Sequence, residues 1–124
     1  MASALAYVAA AMLIVWGVMH LAPTRAVAES FGELSRDNRR ILIMEWIAEG
    51  ITHITLGTLI VLVTAIAGTG NSATPVVFAV VAGALVAIAG LTAATGSRTP
   101  VIWFKVCPFV LTGAAALLVV ASIL

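Results

Sequence analysis

Charge is scarce in this sequence: Asp, Glu, Lys and Arg make up 9% of its 124 residues, against about 25% in a soluble domain. A water-facing globule is therefore excluded, because so few charges cannot cover its surface. There is one cysteine, Cys107. It rules out a disulfide framework, and also the dithiol chemistry of membrane quinone or vitamin K reductases by this chain alone. Six basic residues and a formal net charge of +1 provide no cationic stripe for nucleic acid.

What fills the chain instead is hydrocarbon. Hydrophobic residues reach 63% and mean hydropathy is +1.21, the composition of an integral membrane protein. The apolar stretches are continuous over about 20 residues instead of alternating over about ten, so they read as helices and not as barrel strands. Four are visible, at about residues 3–22, 41–67, 74–94 and 100–124. Two of the three connections are short, which makes each span antiparallel to the next. The expected fold is all-α: one transmembrane domain forming an up-down-up-down four-helix bundle.

The first span lacks a positive leading region and is longer than the about 7–15 apolar residues of a signal peptide, so it reads as a retained span. All six cations (Arg25, Arg36, Arg39, Arg40, Arg98 and Lys105) fall in or just beyond the first and third connections. The positive-inside bias then puts those connections in the cytoplasm and both termini outside, in the cell's inner membrane. Within the long first connection, Val27, Phe31 and Leu34 follow a helical spacing ended by Gly32, which predicts a short interfacial helix. "SRDN" offers Ser35, Asp37 or Asn38 as the cap of the second span. Arg39 and Arg40 at that helix start call for lipid phosphate or an acidic partner.

The second span carries the chemistry. At 100° per residue Glu45, Glu49 and His53 occupy an arc of about 80°, with Thr52 beside them. Counted from Ile41, they descend about 6, 12 and 18 Å into a core about 30 Å thick. Burying an ionisable group there costs at least about 2.5–3.5 kcal/mol, so this face must turn into the bundle. His20 and Trp16 on the first span, Trp46 on the second, and Trp103, Lys105 and Cys107 on the fourth reach the same half of the membrane. Pro108 should kink the fourth span and free a carbonyl. The far half is nearly all Ala, Val, Leu and Ile.

That asymmetry predicts a lipophilic small-molecule pocket in the cytoplasmic half. Glu49 is the expected acid or base, Glu45 and His53 tune it, and His20 or Lys105 stabilises developing charge. Trp16, Trp46, Trp103, Lys105 and Phe31 are the expected binding residues. The competing reading is a structural polar cluster in which Lys105 pairs with Glu45 and His20 caps a helix end. A di-iron site is disfavoured because every span carboxylate lies on one helix. A bis-histidine haem is disfavoured because His20 and His53 are expected at different heights, so neither metal nor cofactor is expected. Thr58, Thr64, Thr92 and Thr112 are expected to bond the preceding turn. The stripes Ala79-Gly83-Ala87 and Gly113 to Ala116 would let helices, or a homodimer, pack closely.

The elements "GVMHLAP", "SFG" and "EWIAEGITHITLG" resemble the DoxX-like superfamily of small four-helix membrane proteins over about residues 15–66. The resemblance implies a four-helix inner-membrane bundle, sometimes associated with oxidoreductase complexes. Glu49, His53 and "WFKVCP" lie outside that pattern, so it assigns no catalytic residue. Function is expected to be cofactor-independent isomerisation, cyclisation or epoxide opening of a terpenoid, sterol-like or quinone molecule. The alternatives are a proton-coupled small transporter and a non-catalytic subunit of a membrane oxidoreductase.

Overall fold

The computed structural model describes the whole chain, Met1–Leu124, and it is all helical. Four long helices, α1 (Ala2–Leu21), α3 (Arg36–Ile66), α4 (Ala73–Ala94) and α5 (Ile102–Ile123), alternate with a short α2 (Thr24–Ser30) and a 3₁₀ turn, Gly96–Arg98. Each long helix is apolar and long enough to cross a membrane, as fits a multi-pass membrane protein.

The ends of the helices follow from local chemistry. Ser35 caps α3 by accepting the Asn38 N–H at 3.2 Å, satisfying one orphan donor of the first turn. The cap starts α3 five residues before the apolar run begins, so Arg36–Arg40 form a charged first turn. Gly68, at φ 75°, ends that helix in the left-handed conformation that glycine adopts without strain. Its carbonyl then accepts the Thr74 hydroxyl at 2.7 Å, while Asn71 accepts the Ala73 N–H at 2.9 Å. Gly32, at φ 73°, closes the segment after α2, and Leu34 therefore does not continue the α2 stripe. On α2, Arg25 holds Glu29 through a 2.9 Å bond, and that guanidinium keeps the carboxyl below its usual range.

Pro108 lies inside α5. It has no N–H to offer the Phe104 carbonyl one turn earlier. Ser97 of the 3₁₀ turn donates its hydroxyl to that carbonyl at 2.7 Å, so the carbonyl freed by Pro108 is satisfied by the connection before the helix.

Packing puts the helices in the order α3, α1, α5, α4. α1 packs closely on α3 and on α5, and α4 on α5, whereas α3 and α4 scarcely meet. Antiparallel pairing of α1 and α3 shows in the register: Gly17 faces Gly50 and Ile54, and Gly57 faces Ala10 and Ile14. A Cβ on Gly17 would lie 2.7 Å from the Gly50 carbonyl oxygen, and one on Gly57 2.8 Å from that of Ala10. These contacts set the close approach of the two helices. The expected stripe on α4 does not serve packing within the chain, because Ala79, Gly83 and Ala87 are exposed and a Cβ on Gly83 would meet nothing within 4 Å. The main core of 17 buried residues, including Leu13, Ile60, Phe78, Leu85, Leu111 and Leu118, joins all four long helices.

Candidate functional site

The weak seam between α3 and α4 opens a cleft of about 430 Å³. Leu42, Glu45, Trp46, Glu49 and Thr52 form its α3 wall, Ile88, Leu91, Thr92 and Thr95 its α4 wall, and Phe104 its inner side. The helical period explains the first wall: Leu42, Glu45, Glu49 and Thr52 follow i, i+3, i+7, i+10 spacing on one face. The Thr52 hydroxyl is committed to the Ala48 carbonyl at 2.8 Å, so the free polar groups of that wall are the two carboxylates. Sequence reasoning found Glu45, Trp46, Glu49 and Thr52 but missed Leu42, Phe104 and the whole α4 wall. Ile88, Leu91 and Phe104 carry no polar signal that could separate them from lipid-facing neighbours.

Behind the cleft lies a buried aromatic cluster. The His20 ring stacks on Trp46 with centroids 3.8 Å apart and planes inclined by 15°, and the His53 ring meets it edge-on at 6.1 Å. Trp16 lies 6.5 Å from His20 and 6.2 Å from Trp103. Trp46 donates its indole N–H to the His20 carbonyl at 2.6 Å, satisfying an oxygen in the last turn of α1. Phe104 packs edge-to-face with Trp46 at 5.3 Å. Cys107, 1% exposed, closes the cluster from α5 beside Trp16 and Thr92.

Glu49 joins the two regions. It lines the cleft, its side chain is 28% exposed, and its Oε2 lies 3.5 Å from His20 Nε2. Both ring nitrogens of His20 and of His53, together with Trp16 Nε1, are buried without a hydrogen-bond partner. His53 has no exposed surface at all, and His20 retains 3%. Buried ring nitrogens without a hydrogen bond are costly in a protein interior, and such costs concentrate at functional sites.

Several expectations need correction. Lys105 is exposed and makes no ion pair with Glu45 or Glu49; the residue at ion-pair distance from Glu49 is His20. The buried face of α5 runs through Cys107, Leu111, Ala114, Leu118 and Ala121. Two residues from Cys107 is about 200° around the helix, so Lys105 points away. Phe31 is 38% exposed and does not line the cleft. Trp103 is half-buried and lines a separate groove of about 310 Å³ between α2 and the start of α5. His20 and His53 are neighbours instead of lying at separate heights, because the antiparallel register of α1 and α3 carries His20 beside the Glu49–His53 turn. Thr58 bonds the Ile54 carbonyl as expected, at 2.8 Å, but the buried Thr64 hydroxyl has no partner. No three of the His, Cys, Asp and Glu side chains are arranged to hold a metal ion.

The fold and site define a class: a four-helix membrane-type bundle with a carboxylate shared between a lateral cleft and a buried histidine-tryptophan cluster. Comparison of the chain with protein families, curated proteins and solved structures returned no match.

Proposed function

We propose that this protein is a membrane enzyme that takes a lipophilic small molecule, a terpenoid, sterol-like or quinone compound, into the α3–α4 cleft and moves protons on it. Glu49 is the acid or base. His20 and His53 stand behind it as proton partners, Glu45 lies one turn away on the same wall, and Trp46 and Phe104 shape the apolar part. Isomerisation, cyclisation and epoxide opening need no more than this. The observation that carries the reading is the double position of Glu49, in the cleft and 3.5 Å from His20. The arginine-rich end bearing α2 faces the cytoplasm in this proposal, both termini lie outside, and the membrane is the inner one. The DoxX-like resemblance belongs to the same proposal.

The 17-residue apolar core favours the enzyme over a proton-coupled transporter, since it supplies no polar path for a proton through a single chain. The test is conversion of terpenoid epoxides, enones and quinones by the protein in lipid nanodiscs, read by mass spectrometry. Turnover is expected for one of these classes. Glu49→Gln should lower kcat by about 10²–10⁴-fold, with a smaller loss for His53→Ala. Full turnover by a folded Glu49→Gln protein would sink the reading.

A further inference from the structure

The sign of the cleft's charge is one-sided. Among its 12 lining residues are two carboxylates, Glu45 and Glu49, and no lysine or arginine. The cations of the chain are elsewhere: Arg25 is held by Glu29, Arg40 by Asp37, and Lys105 points outward. Two like charges one helical turn apart repel even in water, and more strongly beside lipid. Phe104 adds aromatic surface on the inner side of the cleft, and such a ring attracts cations.

A second observation comes from behind the carboxylate. His20 and His53 are more than nine-tenths buried, and their nitrogens have no hydrogen-bond partner. His20 Nε2 lies 3.5 Å from Glu49 Oε2, and no other basic side chain makes an ion pair with either cleft carboxylate.

We propose that the α3–α4 cleft is a binding site for a lipophilic cation, its charged head between Glu45 and Glu49 and its hydrocarbon body against Ile88, Leu91 and Phe104. The inference rests on reading the cleft as a ligand site, and it adds a charged ligand to the neutral compounds proposed above. At protein-like packing density, a space of 430 Å³ takes a molecule of roughly 15–20 non-hydrogen atoms.

The probes are trimethylfarnesylammonium, which carries a permanent charge, and farnesyl methyl ether, which has the same chain without it. Binding to the protein in nanodiscs is read by tryptophan fluorescence, with partition into empty nanodiscs subtracted. Trp46 lines the cleft and Trp16 packs behind it, so occupancy is reported directly. The ammonium should bind at least about tenfold more tightly than the ether. Glu49→Gln should remove about a tenfold advantage, and Glu45→Gln a smaller part of it. Glu45 is exposed, so that variant keeps the fold and decides the matter even where Glu49→Gln does not. Equal affinity for the two probes, no binding of the ammonium, or ammonium binding unchanged in both variants would overturn the proposal. Tight ammonium binding with no turnover of any substrate leaves the cation site standing and removes the enzyme. Turnover with equal binding of the two probes does the reverse.

Discussion

Trp46 shows how much one residue carries here. Its ring stacks on His20 and meets Phe104 in a T-shaped contact, and its N–H closes the His20 carbonyl. Replacing it by phenylalanine keeps an aromatic ring but leaves a buried acceptor unpaired, at a cost of about 1–3 kcal/mol. Trp46→Phe should therefore lower the thermal midpoint in detergent, and Trp46→Leu should lower it further by also removing the stack. A midpoint unchanged in both would mean that the bond and the stack contribute nothing. The ladder Glu45, Glu49, His53 was legible from helical spacing alone, because 100° per residue fixes which side chains share a face. The gradation along it was not. Glu45 is exposed, Glu49 partly covered and His53 fully buried, since burial depends on which neighbour each turn of α3 meets.

At the scale of the helices, close packing belongs to α1 and α3. Gly17→Ala and Gly57→Ala would press a methyl group against a backbone carbonyl oxygen, an overpacking that costs about 1–3 kcal/mol. Gly83→Ala and Gly90→Ala on α4 meet nothing within 4 Å and should leave stability unchanged or raise it slightly. Thermal melts of the four variants check this contrast, and it fails if the α4 pair proves the more damaging. Span positions could be read from the sequence because hydropathy reports the contrast between lipid and water. The partner of each face could not. Gly17, Gly50 and Gly57 read individually as ordinary span residues, and only the antiparallel register sets Gly17 against Gly50 and Gly57 against Ala10. The same lack of partner information concealed the α3–α4 seam, so the site's carboxylates were foreseen and its far wall was not.

For the whole molecule, the distribution of cations and the position of the cleft form one statement. Arg36, Arg39 and Arg40 begin α3 and Arg98 and Lys105 flank the start of α5, while the α3–α4 turn at residues 67–72 and both termini carry no Lys or Arg. The cleft lies in the half of the bundle nearest that charged end, between the first half of α3 and the last turns of α4. Sidedness therefore decides which leaflet supplies the ligand. Cys107 is buried and should stay unreactive toward an aqueous maleimide, so cysteines placed elsewhere report accessibility without its removal. Ser72 and Glu33 are both exposed, on opposite ends of the bundle. In intact cells, a membrane-impermeant maleimide should label Ser72→Cys directly and Glu33→Cys only after the membrane is opened, because short basic connections stay in the cytoplasm. The opposite pattern would place the carboxylates in the outer leaflet, and the ligand of the cleft would then arrive from outside the cell.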